Sequence, residues 1–172
     1  LGTKLAAPII VCPMGNQANA HMTAEAGTAI GTAAEGLLMA CSTASSLPME
    51  TIMAASPGPK WFQLYMPEDR GLARELVTRA KAAGFKAILF TADTQGGAPS
   101  ERAIRAGYKP SGKPHGNFSA AATLNKGLSW DDVDFVQKTS GLPVLVKGVL
   151  TERMVKQAVA AGVAGIQVSN HG

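Results

Sequence analysis

SWDDVDFVQKTSGLPVLVKGV, residues 129–149, holds one complete unit of the pattern that runs through this chain. It opens on Ser129, a preferred helix N-cap. Asp131 and Asp132 follow in what would be the first turn, where the positive end of a helix favours them. The helical pattern stops at Gly141. A short continuous apolar run comes next, PVLVKG at 143–148, and a lysine stands near its end. Strands of a parallel sheet covered on both faces read in this way, as unbroken apolar runs rather than alternation. The stretch is therefore one helix–turn–strand unit with a charge at the strand's exit.

The unit recurs. Apolar runs at 7–12 (APIIVC), 36–41 (GLLMAC), 61–65 (WFQLY), 87–92 (AILFTA) and 165–169 (GIQVS) join 143–148 as six predicted strands. Helices are predicted at 23–35, 69–84, 129–141 and 151–162. The second puts Leu72, Leu76 and Val77 on one face and ends in Gly84, a predicted C-cap. Most strands follow a helix and a glycine, as in AEGLLMA, AAGFKAILF, SGLPVLV and AAGVAGIQV.

Polar residues gather at the strand exits: Gly15 and Asn16, Ser42, Gln63 and Tyr65, Thr91 and Asp93, Lys147, and His171. Chemistry at the C-terminal end of every strand is the pattern of a (β/α)8 TIM barrel. A doubly wound sheet concentrates its ligand contacts at one switch point, and no G-x-G-x-x-G follows a strand here. The predicted class is α/β, a partial (β/α)8 barrel holding the first six strands. Its single domain covers 1–172, with a loop insertion at about 95–126. That insertion is rich in Gly, Pro and Ser and has no clear period. From composition alone it reads as a disordered loop.

Composition excludes other classes. With 172 residues, 46% hydrophobic and 16% charged, the chain is globular. The net charge of +4 comes from scattered Lys and Arg, so no nucleic-acid partner is expected. No apolar run reaches transmembrane length, so no membrane segment is expected. Cys12 and Cys41 are too few for a disulfide framework or a zinc site. Both sit in apolar runs and are expected as small core residues, which favours a cytoplasmic location. No metal is expected.

The exit residues carry the candidate chemistry. Lys147 lies inside an apolar run, so it either snorkels to water or faces an anionic ligand. Asp93 is either a turn residue or the partner of His171 across the mouth. In the second case the carboxylate orients the imidazole and stabilises its protonated form, as a general base requires. Tyr65 is either a core aromatic with a wet tip or a hydroxyl available to substrate. His21 is expected to open the first helix region, and His115 to belong to the insertion.

GPKWFQLYMPEDR, ILFTADT, GLSWDDV, GLPVLVKGVLT and AGVAGIQVSNHG together resemble the FMN-dependent 2-hydroxy-acid oxidising enzymes. That family includes glycolate oxidase, lactate oxidase, lactate 2-monooxygenase and the flavin-linked lactate and mandelate dehydrogenases. AHMTAEAGTA and FTADT are most similar to the lactate oxidase branch. The resemblance implies FMN as cofactor and a small 2-hydroxy acid, L-lactate-like, as substrate. It implies His171 as the base that takes the hydroxyl proton, Asp93 as its carboxylate partner and Tyr65 as a substrate hydrogen bond. It places Lys147 beside flavin N1, and Ser42, Gln63 and Thr91 at the flavin ring. Met14 and Gly15 become backbone contacts after the first strand. Lactate oxidases tend to carry Ala where Gly15 stands, and lactate monooxygenase carries Gly.

The resemblance also implies a longer parent protein, itself expected to be a homo-oligomer. The substrate-binding arginine that follows SNHG in the family, the phosphate-binding strands seven and eight, and an N-terminal tyrosine all lie outside this sequence. Residues 1–172 alone are expected to be inactive. In an ungapped alignment Ser100 takes the place of a family arginine in the loop after strand four, with Arg102 nearby but out of register. The alternative reading is a non-catalytic barrel piece or degenerate paralogue without bound flavin.

Overall fold

The computed structural model describes residues 1–94, 101–107, 115–118 and 122–171. Six strands form one parallel sheet in chain order. They are β1 (Ile10–Val11), β2 (Leu38–Ser42), β3 (Lys60–Leu64), β4 (Ile88–Thr91), β5 (Val144–Lys147) and β6 (Gly165–Gln167). The helices are α1 (Ala24–Ala34), α2 (Met49–Ala55), α3 (Arg70–Ala83), α4 (Glu101–Arg105), α5 (Trp130–Ser140) and α6 (Glu152–Ala160). The sheet curls on itself: the Gln167 amide of β6 reaches 3.8 Å from Cys12 Sγ, just beyond β1. Sequential parallel order with this curvature is that of a partial (β/α)8 barrel.

Register assigns each strand residue to a face. Leu38 and Ala40 of β2, Trp61 of β3, Leu89 of β4 and Leu145 of β5 form a small apolar cluster inside the curl, with Ala87. Their neighbours Met39, Cys41, Phe62, Leu64, Ile88, Phe90, Val144 and Val146 face outward into the larger core. There they meet Leu76 and Val77 of α3 and Val133 and Val136 of α5. Because both faces are covered, β2 to β5 are buried throughout.

Local chemistry explains the element ends. Asp69 Oδ1 accepts the Gly71 and Leu72 N–H groups at 2.7 and 3.4 Å and starts α3. Gly84 ends it at φ 98, a left-handed conformation that glycine adopts without strain. Asp132, 2% exposed, starts α5: its Oδ2 accepts the Ser129 N–H at 2.9 Å, and Oδ1 pairs with Arg70 of α3. One carboxylate thus caps α5 and ties it to α3. Asp132→Ala is expected to lower stability by about 1–3 kcal/mol, since cap and partnered hydrogen bonds go together. Chemical denaturation would read this as a fall in midpoint, and an unchanged midpoint would refute it.

Four differences from the sequence reading have physical causes. Strand one was expected over 7–12, but only Ile10–Val11 pair with β2, because Pro8 and Pro13 flank them and lack an N–H. Helix α2 is too short for a helical period to stand out, although Pro48 and Glu50 mark its start. The insertion is not structureless throughout. It carries α4 and a docked segment at 115–118, where Asn117 is 3% exposed, and Leu124 bridges Pro67. Cys41 is buried as expected, but Cys12 is exposed; both are free thiols. Among the described residues no helix is long and apolar enough to cross a membrane.

At the entry end of β3, Lys60 is 1% exposed. Its ammonium donates to Ser56 O, Ser56 Oγ and Gly58 O at 2.8, 3.0 and 3.0 Å. Burial pulls its pKa below the ordinary lysine value. The three oxygens let a cation sit in the core without a carboxylate, and they fasten the α2–β3 turn to the barrel floor.

Candidate active site

The inward register that is apolar at mid-strand turns polar at the exit. Ser42, Gln63, Thr91 and Lys147 end β2 to β5 on the inner face, each 6% exposed or less. Ser42 Oγ donates to Gln63 Oε1 at 3.0 Å, and Gln63 Nε2 donates to Thr91 Oγ1 at 2.7 Å. Thr43 N–H also donates to Gln63 Oε1, at 3.3 Å. With its oxygen doubly engaged, Gln63 has one amide hydrogen left for the mouth, and the Thr91 hydroxyl hydrogen is likewise left over. Thr43 was not singled out from the sequence. Its hydroxyl bonds Gln63 O and accepts the Tyr65 N–H at 3.0 Å, so it fixes the chain between Gln63 and Tyr65. Its neighbour Ser42, also a hydroxyl at a strand exit, was the available signal.

Tyr65, Asp93, Lys147 and His171 come together from four different strand exits. His171 Nδ1 lies 2.8 Å from Asp93 Oδ1, and Nε2 lies 3.2 Å from the Tyr65 hydroxyl. The Tyr65 and His171 rings stack with centroids 6.3 Å apart. If Nδ1–H donates to Asp93, Nε2 is left as the basic nitrogen and accepts from Tyr65. Lys147 Nζ stands 3.5 Å from Asp93 Oδ2 and 3.2 Å from His171 Nδ1. The lysine side chain is 8% exposed, so it does not snorkel to water. Asp93 Oδ2 is buried without a hydrogen bond, and the ammonium is its charge partner. Burial, and then the Asp93 charge, push the Tyr65 phenol above its ordinary pKa, so at neutral pH the hydroxyl keeps its proton to donate.

Two backbone features hold this cluster. His171 sits at φ 77, unusual for a residue with a side chain, and Ser169 Oγ accepts its N–H at 3.1 Å. Gly148 sits at φ 103, and a Cβ there would lie 2.6 Å from Asp93 Cβ and 2.8 Å from Cγ. Gly148→Ala is expected to displace Asp93 and weaken its contacts with Lys147 and His171. The Asp93 carboxylate carbon signal by NMR would move in the variant at a fixed pH; superimposable spectra would refute the prediction.

Met14 and Gly15 form the loop beyond β1, with Met14 half exposed. A Cβ on Gly15 would lie 2.8 Å from the Ala44 carbonyl oxygen, so the loop packs backbone against backbone. Asn117, also not singled out, accepts the Met49 N–H at 2.8 Å and donates to the Ser42 and Thr43 carbonyls at 3.3 and 3.0 Å. His115 beside it bonds the Ala44 carbonyl at 3.1 Å. His21 precedes α1 and bonds Thr23, away from the cluster. Arg102 is exposed on α4. Ser100 and Gly172 lie outside the described residues.

This donor set fits a flavin. The row presents the spare hydrogens of Gln63, Thr91 and Lys147, and a flavin ring edge offers carbonyl and ring-nitrogen acceptors. The ammonium matches the negative charge of the reduced ring. Among the described residues no cluster of His, Cys, Asp and Glu could hold a metal ion.

Known proteins are similar to this chain in sequence and in fold. The chain is 38% identical to glycolate oxidase 3 of Oryza sativa subsp. indica, over all of this chain and 52% of that protein. It is 36% identical to the glycolate oxidase of Spinacia oleracea, with the same coverage. A Pediococcus acidilactici protein named as a lactate oxidase superposes with a TM-score of 0.91 at 36% identity, over 98% of this chain and 48% of that one. A mandelate oxidase variant with (S)-mandelic acid superposes at 0.88, with 32% identity, over 97% and 49%. The chain spans about half the length of the curated relatives it matches. The family described as FMN-dependent dehydrogenase matches residues 1–172, and to that family this chain belongs.

Proposed function

We propose that the full-length protein oxidises a small 2-hydroxy acid, L-lactate-like, to the 2-keto acid with FMN, electrons then passing to oxygen or another acceptor. The observation that carries the reading is His171, bound through Nδ1 to Asp93 and through Nε2 to Tyr65. Glycolate, lactate and mandelate, named in the relatives above, share the one group this arrangement addresses, a hydroxyl on the carbon next to a carboxylate.

In this reading His171 Nε2 takes the substrate's hydroxyl proton. Asp93 holds the ring in the tautomer that leaves Nε2 basic and stabilises the imidazolium that results. Tyr65 donates its phenolic hydrogen to a substrate oxygen. FMN, when bound, supplies the acceptor for the two electrons that leave with the Cα hydrogen. Ser42, Gln63 and Thr91 would hold the ring edge, Lys147 would offset charge on it, and the Met14–Gly15 backbone would contact it. The interior below the row is apolar, with Ala40, Leu89 and Leu145.

The test is optical. The purified full-length protein is expected to carry stoichiometric flavin, bleached without oxygen by glycolate, L-lactate or (S)-mandelate. A protein that takes up no FMN, or one whose flavin none of these acids reduces, would remove the reading. The rank order of bleaching rates among the three acids gives the substrate.

A further inference from the structure

Glu25 is a carboxylate at 0% exposure near the start of α1. Among the described residues no Lys, Arg or His stands within ion-pair distance of it. Its partners are backbone N–H groups from two different loops. Oε1 accepts from Gln17 at 3.1 Å and from Ser46 at 2.9 Å, and Oε2 accepts from Leu47 at 3.3 Å. Gln17 belongs to the loop beyond β1, and Ser46 and Leu47 to the loop beyond β2. The two loops are bound to each other as well: Asn16 N–H reaches the Ala44 carbonyl at 3.0 Å, and Ala18 N–H reaches Ser46 Oγ at 3.0 Å.

Burying an unpaired carboxylate is costly, and a fold that does so obtains something for it. Here the charge is met by the positive end of α1 and by three charge-assisted hydrogen bonds. The backbone is bent to deliver it: Ala24, directly before Glu25, sits at φ 47, where a residue with a Cβ is strained. From Gln17 the connection runs on to the mouth. Its side-chain amide donates to the Met14 carbonyl at 3.2 Å, while its Oε1 accepts from Thr28 of α1 at 2.6 Å. Glu25 is thus one bond from the loop carrying Met14 and Gly15 and one bond from the loop that starts at Ser42.

We propose that Glu25 is a positioning residue that sets the spacing of the β1 and β2 exit loops, and thereby the face that Met14, Gly15 and Ser42 present to the flavin ring. The inference rests on the flavin reading given above. It demands an acceptor on both oxygens. In Glu25→Gln the remaining oxygen still accepts from Gln17 and Ser46, but an NH2 group meets the Leu47 N–H, donor against donor. The β2 loop must then move.

Lys60→Met supplies the comparison, because Lys60 fastens the opposite end of the barrel and touches neither loop. In the full-length protein without flavin, hydrogen exchange at Gln17, Ser46 and Leu47 is expected to accelerate in Glu25→Gln and not in Lys60→Met. FMN affinity, read by quenching of flavin fluorescence, is expected to fall about tenfold in Glu25→Gln, the equivalent of one charge-assisted hydrogen bond. The bound flavin's visible spectrum should shift. At an equal loss of thermal stability, Lys60→Met should keep wild-type affinity and spectrum. Glu25→Asp, too short to span both loops, should resemble Glu25→Gln. Equal weakening of FMN by the two distant variants would make Glu25 a stability residue only and overturn the proposal. So would wild-type affinity and exchange in Glu25→Gln. A wild-type protein that binds no FMN would overturn the flavin reading itself, and the proposal with it.

Discussion

His171→Ala in the full-length protein is expected to lower turnover of a 2-hydroxy acid by about 10²–10⁴-fold, the range for losing a positioned general base. FMN binding should survive. The residues assigned to the ring edge end four other strands: Ser42, Gln63 and Thr91 keep their mutual hydrogen bonds when the imidazole is gone, and Lys147 loses its 3.2 Å contact with Nδ1 but keeps Asp93 at 3.5 Å. The loss should therefore fall on kcat more than on flavin content. Two details sharpen the expectation. Tyr65 loses its Nε2 partner but keeps its backbone tie to Thr43, so the phenol stays in place to bind substrate. Asp93 loses its 2.8 Å contact but keeps the ammonium at 3.5 Å, so the carboxylate is not left without a counter-charge. Rapid mixing of the oxidised protein with substrate measures the step directly. Flavin reduction in His171→Ala at the wild-type rate would take His171 out of the base role.

Glu25 and His171 mark the two limits of what the sequence tells. The barrel was legible because burial on both faces removes polar residues from the strands, which leaves apolar runs followed by an abrupt polar residue. Gln63, Thr91 and Lys147 stood out by that contrast alone. His171 and Asp93 were legible as members of one mouth, since residues at strand exits of one barrel face the same space however far apart they are in the chain. Glu25 was illegible for the opposite reason. It lies in an Ala-rich helix start, where an acidic residue is ordinary, and its partners are backbone groups with no side-chain identity to read. Asn117 was hidden in the same way, in a Gly- and Pro-rich segment whose docking depends on the carbonyls of Ser42 and Thr43. Lys60 was hidden because three oxygens at 2.8–3.0 Å satisfy it, and sequence shows neither the turn that supplies them nor its depth. Contacts made to the main chain leave little trace in a single sequence; contacts made by exit side chains leave a clear one.

Lys147→Met should slow flavin reduction by substrate by about 10²–10³-fold, the scale found when a preorganised charge or donor facing developing negative charge is removed. Methionine keeps the lysine's apolar stem as far as Cε and lacks only the ammonium, so the packing beside Val146 and Thr91 is retained and the change is close to a pure loss of charge. Two effects then act in the same direction. Negative charge that builds on the flavin ring during reduction loses the cation that would offset it, and in a site this buried the loss is not made up by water. Asp93 also loses its ammonium neighbour at 3.5 Å, and its Oδ2 has no hydrogen bond to fall back on. A carboxylate freed in this way adds repulsion toward the same ring. The flavin reduction potential should therefore become more negative, which separates this variant from His171→Ala, where the base is missing but the charge beside the ring is kept. Lys147→Arg restores the charge in a bulkier group and should recover part of both rate and potential. Stopped-flow reduction and a dye-coupled potential titration on the three variants decide the matter. A Lys147→Met protein with wild-type potential and reduction rate would show that the ammonium serves only Asp93 and is not felt by the flavin.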